Sequence, residues 1–153
     1  MNRTKSVVEF DLETNASPET VRAALINFSE RRPQLWPGID PSLYEVYSVG
    51  ETTADVREGS RSPGGRVWAR EYYDWSDGET VRWTVRESGV FAPGSYVAAT
   101  IRPGRDGGST VHLAWDRTGS NMMGRLICAM IRMSGGKEPA KSFRRGLAVL
   151  EEA

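Results

Sequence analysis

Few residues in this 153-residue chain combine the type and spacing that chemistry demands. The single histidine, His112, is the obvious general-base candidate, because its side chain titrates near neutral pH. Period-two alternation groups it with Ala114 and Asp116, opposite Val111, Leu113 and Trp115, which reads as a solvated strand histidine. The single cysteine, Cys128, lies in the apolar run Leu126-Ile127-Cys128-Ala129 with no histidine paired to it, so it reads as a small inert apolar residue. One Cys and one His exclude an intramolecular disulfide and speak against a Cys/His zinc site; neither a metal nor a cofactor is expected. Gly135-Gly136-Lys137 lacks the full glycine spacing and the preceding strand of a phosphate loop. Arg125 and Arg132 stand seven apart on one helical stretch, followed by Lys137, Lys141, Arg144 and Arg145. That basic face fits a membrane surface or an anionic ligand, and fits a plain solvated face better.

The remaining candidate is an acid, Glu71, and its placement depends on strand register. A strand over 66–75 must pair with one over 80–87 through a turn near Asp77-Gly78. A two-residue turn sends Arg70 and Tyr72 to the face of Trp83 and Val85. A three-residue turn pairs Trp75 with Glu79 and sends Val67, Ala69, Glu71, Tyr73 and Trp75 inward with Trp83. One residue of slip flips every side chain. The second face is more apolar and is the expected one. It makes Glu71 a buried acid, paired with an arginine such as Arg125 or protonated near neutral pH. It is the single weak catalytic candidate.

The elements that would position these residues follow from local signals. Val8, Phe10 and Leu12 alternate with Glu9, Asp11 and Glu13, a half-buried strand over 7–13. Ser17 can cap a helix that opens with Pro18 and Glu19 and buries Val21, Ala24, Leu25 and Phe28. A short second helix over 29–35 ends at Trp36-Pro37-Gly38. Six strands follow, at about 43–49, 53–58, 66–75, 80–87, 95–102 and 109–117. They are separated by Gly50, Ser62-Pro63-Gly64-Gly65, Ser76-Asp77-Gly78, Ala92-Pro93-Gly94 and the glycine-rich turn at 104–108. Inward faces are Val81/Trp83/Val85, Val97/Ala99/Ile101 and Val111/Leu113/Trp115. Short connections favour antiparallel hairpins. A long terminal helix over 121–150 carries Met122, Met123, Leu126, Ile127, Met130, Ile131 and Met133 on a broad apolar face, then Phe143, Leu147 and Leu150, with a weakening or kink at Ser134-Gly135-Gly136.

The chain length corresponds to one domain, residues 1–153, of α+β class. Twenty basic and twenty acidic residues give zero formal charge, which excludes nucleic-acid binding driven by bulk charge. With 39% hydrophobic residues the composition is that of a globular chain. Residues 1–10 carry no apolar leader, and the apolar stretch 122–133 is interrupted by two arginines and too short to insert into a bilayer. A cytoplasmic protein is expected.

A six- or seven-stranded sheet with one apolar face needs a cover, and the terminal helix is the element long enough to supply it. This order resembles the helix-grip, START-like (SRPBCC) superfamily, and within it the polyketide cyclase/dehydrase-like branch. The residues that carry the resemblance are Ala16-Ser17-Pro18-Glu19-Thr20-Val21, Leu35-Trp36-Pro37-Gly38-Ile39 and Ala54-Asp55-Val56-Arg57-Glu58-Gly59-Ser60. They are capping, packing and turn residues, so they speak for the fold and little for function. The resemblance implies a curved sheet wrapped around a long C-terminal helix, two short helices after the first strand, and a cavity between sheet and helix. The expected lining is Trp36, Glu71, Tyr73, Trp83, Val85, Val97, Ala99, Trp115, Met122, Met123, Leu126, Ile127 and Met130. Periodicity alone fits a filled core as well. The expected partner is a small hydrophobic or aromatic molecule, bound or carried. The alternatives are a polyketide aromatase/cyclase or dehydratase and a lipid- or membrane-surface protein.

Overall fold

A computed structural model describes residues 5–62 and 65–152. The chain begins with β1 (Lys5–Thr14), then α1 (Pro18–Leu25) and the single turn α2 (Arg32–Leu35). Six further strands follow: β2 (Glu45–Val49), β3 (Thr53–Ser62), β4 (Gly65–Asp74), β5 (Thr80–Ser88), β6 (Tyr96–Pro103) and β7 (Ser109–Thr118). Two helices close the chain, α3 (Met122–Ser134) and α4 (Lys137–Glu151). The strands form one antiparallel sheet in the order β1-β7-β6-β5-β4-β3-β2, so the first strand is zipped to the last, with Phe10 opposite Leu113. Pro63 and Gly64, of the expected turn between β3 and β4, lie outside the described residues, as do 1–4 and 153.

The local signals act as physics requires. Ser17 Oγ accepts the backbone N–H of Thr20 at 3.2 Å, Pro18 takes the first helical position, and Val21, Ala24 and Leu25 are buried. The inward residues of β5, β6 and β7 meet α1 and α4 in a core that includes Val81, Val97, Ala99, Leu113 and Leu147. A second cluster gathers Ala69, Val85, Val90, Phe91 and Cys128.

Three expectations change. The terminal helix is two helices, not one kinked element. Gly135 (φ 66°) and Gly136 (φ 91°) both adopt the left-handed conformation that side chains disfavour, which ends α3 before α4 begins. In β4–β5 the inward face is the expected one, but the register differs by two residues: Tyr73 pairs with Trp83, where a Trp75–Glu79 pairing would set Tyr73 against Val81. A shift of two preserves side-chain parity, which is why the face survives. A bulge at Arg70/Glu71 breaks the ladder there and strengthens local twist. On α3, Met122 and Met133 are 86% and 87% exposed, not inward. The phase of this helix is fixed by Asn121, whose Oδ1 caps Gly124 N at 2.8 Å and whose Nδ2 donates to Gly89 O at 2.7 Å. Gly124 then lies so close to the Val90 carbonyl that a Cβ would stand 1.9 Å from its oxygen. Gly124, Cys128 and Ile131 therefore face inward.

Candidate functional site

The concave face of the sheet and the two C-terminal helices leave a cavity of about 610 Å³ between them. That volume falls in the range of sites for small organic ligands, roughly 300–1,000 Å³. The sheet contributes Trp83, Trp115, Tyr73, Glu71 and Ala69; α3 contributes Met123, Leu126, Ile127, Met130 and Ile131; α4 contributes Pro139 and Phe143. Leu126 and Met130 line it while more than half exposed, so they form its rim. Trp36 closes one end, its indole N–H donating to Ala24 O at 3.0 Å and its ring tilted against Phe143.

Of the expected lining residues, Trp36, Glu71, Tyr73, Trp83, Trp115, Met123, Leu126, Ile127 and Met130 meet around this cavity. Four do not. Val97 and Ala99 are sealed in the core beneath α1, and Val85 is covered by Val90, Phe91 and Cys128. Met122 is on the solvent side of the first turn of α3. Cys128 is fully buried, its thiol 3.6 Å from Arg117 O.

Two charged pairs stand in the wall, and of their four members only Glu71 was expected there from the sequence. Arg32 is 2% exposed and is held on every side. Its Nε donates to Glu58 Oε2 at 2.5 Å, its Nη1 to Leu25 O at 2.8 Å and Asn27 O at 2.9 Å, and its Nη2 to Tyr73 Oη at 3.1 Å. The Tyr73 hydroxyl in turn donates to Glu58 Oε1. Burial opposes the Arg32 charge, but Glu58 and the Tyr73 oxygen outweigh it and hold the guanidinium protonated. Burial, reinforced by the Glu58 charge, pushes the Tyr73 hydroxyl well above its ordinary range. The ring of Tyr73 stacks on Trp83 at 5.4 Å and meets Phe28 edge-on at 4.9 Å.

The second pair is Glu71 with Arg117. Glu71 is 4% exposed, and its arginine is not Arg125, which points to solvent from α3, but Arg117 on β7. Arg117 Nη2 stands 2.8 Å from Glu71 Oε1, off the N–H direction, so charge rather than a well-aimed hydrogen bond holds the pair. The guanidinium carbon lies 4.9 Å from the Phe91 ring centre and 5.0 Å from that of Trp115. Desolvation drives the Glu71 carboxyl up; Arg117 pulls it back only in part. Arg117 had a signal in the sequence, two residues beyond Trp115 on the inward face. Glu58 had the same one, continuing Ala54 and Val56. Arg32 had none, because the chain between α1 and α2 is not helical.

Elsewhere the candidates dissolve. His112 sits on the outer face between two acids of β1, Nδ1 2.7 Å from Asp11 Oδ1 and Nε2 3.4 Å from Glu9 Oε1, and these raise its pKa, Asp11 most. Arg132 turns back from α3 to donate to Lys5 O at 2.6 Å, which removes it from a common basic face with Arg125. Among the described residues no cluster of three or more His, Cys, Asp or Glu could hold a metal ion. No helix there is long and apolar enough to cross a membrane.

No protein-family model and no curated protein matches the sequence. Solved structures match its shape. TTHA0849 from Thermus thermophilus superposes with a TM-score of 0.75 at 17% identity, over 94% of this chain and 96% of its own. A START superfamily protein from Mycobacterium smegmatis gives 0.73 at 14%, over 92% and 93%. The Zhui aromatase/cyclase from Streptomyces gives 0.74 at 12%, over 97% and 93%. The fold is therefore the START-like helix-grip fold, which the Zhui aromatase/cyclase shares.

Proposed function

We propose that the protein binds a small, flat hydrophobic or aromatic molecule in the cavity between sheet and helices. One observation carries this reading: the cavity has ligand size and an aromatic and methionine-rich wall, and its deep charges stand in two opposed pairs, Arg32 with Glu58 and Glu71 with Arg117. Rigid indole faces offer stacking area, and flexible methionines at the rim adapt to shape. A second reading, an aromatase/cyclase or dehydratase-type enzyme, draws support from the upward shift of Glu71, a carboxyl that could donate a proton to a bound substrate, and from the fold shared with the Zhui aromatase/cyclase. Binding ranks first because Glu71 has an arginine partner, which favours an orienting role.

The test is titration with 8-anilinonaphthalene-1-sulfonate, whose emission rises in an apolar site. Wild-type protein gives saturable binding. Ala69→Phe and Ile127→Trp, which fill the cavity from opposite walls, abolish it while the thermal transition stays cooperative. Unchanged dye binding in both variants refutes the cavity as the site. With a ligand in hand, Glu71→Gln separates the readings: an orienting carboxylate loses binding, a catalytic one keeps binding and loses turnover.

A further inference from the structure

We propose that the bound aromatic molecule carries an anionic oxygen, a carboxylate or phenolate, and that Arg117 and Trp115 are the donors that receive it. This rests on the binding reading above and specifies its ligand.

Hydrogen-bond donors and acceptors along the wall balance on one side of the cavity and not on the other. On the Arg32 side they balance: each guanidinium nitrogen has a partner, Tyr73 donates to Glu58, and the Trp36 N–H is taken by Ala24 O. On the Arg117 side they do not. Nε and Nη1 of Arg117 and Nε1 of Trp115 are buried and have no hydrogen-bond partner, three donors against one unpaired acceptor, Glu71 Oε1, and all three residues line the cavity. Buried donors are paired as a rule, and an exception calls for a missing acceptor. The guanidinium carbon lies about 5 Å from the ring centres of both Phe91 and Trp115, and a guanidinium makes polar contact through its N–H edges. The missing acceptors are oxygens, and the positive charge of Arg117 favours a negative one. Flanking rings place the frame of an aromatic ligand in the same layer.

The present counter-ion does not bar an anion. Glu71 faces Arg117 from β4, with Glu58 on β3, Arg32 on α2 and Tyr73 on its own strand nearby, and burial already pushes its carboxyl toward the neutral form. An anion arriving at Arg117 meets a carboxyl already inclined to be neutral, so Glu71 can stay beside the guanidinium and orient it.

Calorimetric titration with three probes that share one ring system, 2-naphthoate, 2-naphthylmethanol and 2-naphthylmethylammonium, tests the proposal. Naphthoate is expected to bind wild type about tenfold or more tightly than the alcohol, as a charge-assisted hydrogen bond implies, with the ammonium weakest. Trp115→Phe keeps an aromatic ring in the wall and removes the N–H, so it weakens naphthoate more than the alcohol and narrows the preference. Arg117→Met removes the preference; should it not fold, Arg117→Lys, which keeps the charge but loses Nε, is expected to narrow it. Equal binding of naphthoate and alcohol to wild type overturns this proposal alone. So does a preference that survives Trp115→Phe and the Arg117 variant. Failure of all three probes to bind overturns the cavity reading as well.

Discussion

Arg117→Met is the perturbation with the largest reasoned effect. Arg117 is 6% exposed and Glu71 4%, and their charged atoms stand 2.8 Å apart. Removing one member of a buried ion pair costs about 3–5 kcal/mol, chiefly because the other charge is left without compensation. Methionine retains part of the packing against Phe91 and Trp115 but loses the attraction of the cation to both rings, about 0.5–2 kcal/mol each. Glu71 limits the damage by taking up a proton. Its carboxyl is raised by burial already, and loss of Arg117 raises it further. A folded-state pKa above the unfolded value, near 4.3 for Glu, means that the native state binds more protons. Stability is then highest at acid pH and falls as pH rises between the unfolded and folded values, by up to about 1.4 kcal/mol per pH unit. Arg117→Met should therefore lose about 3 kcal/mol or more at pH 7.5 and recover much of it at pH 5. Glu71→Gln leaves an arginine that cannot discharge, so this site should give that variant's own stability no pH dependence over the same range. The double variant Glu71→Leu/Arg117→Met should be more stable than Arg117→Met alone at pH 7.5, since neither position then holds a buried charge. Urea denaturation of wild type and the three variants at both pH values reads this directly. A loss below about 1 kcal/mol in Arg117→Met, or one equal at both pH values, refutes the reasoning.

Ser17→Ala should cost about 0.5–2 kcal/mol through the lost cap on Thr20 N, seen as a lowered denaturation midpoint. His112, held up by Asp11 and Glu9, should titrate above 6.5 in an NMR pH series; its contribution to stability is complete below the unfolded pKa, fades as pH rises through the folded value, and disappears in His112→Asn. Cys128 should resist a thiol reagent in the native protein and react once the chain is unfolded in urea.

Wherever one face of an element is apolar and the other polar, the sequence could be read. β6 and β7 show their inward residues by alternation. The Ser17-Pro18-Glu19 start of α1 states its own capping chemistry. The inward face of Glu71 followed from hairpin parity, which tolerates an error of two residues. What failed had the opposite character. In α3 the apolar residues cover more than half the circumference, so periodicity has no preferred side. The choice was made by backbone approach at Gly124 and by the Asn121 cap, neither of which is a hydrophobic signal. Val85, Val97 and Ala99 were on the right face of the sheet, but whether an inward residue meets a void or another side chain depends on what α1 and the 89–91 segment cover. The charged residues of the wall were hidden for a different reason. Alternation was followed to Trp115 and Val56, where the apolar pattern stops, while the same faces continue to Arg117 and Glu58.

The most direct test of the cavity as the binding site is a nitrogen–proton NMR titration of the protein with 2-naphthylmethanol, following the five tryptophan indole resonances. Trp83 and Trp115 line the cavity, whereas Trp75 packs on Phe28 outside it. Saturable shifts at Trp83 and Trp115 with Trp75 unmoved are the predicted result. A titration that leaves Trp83 and Trp115 in place, or that shifts only residues of the solvent side of α3 around Met122 and Met133, would contradict it.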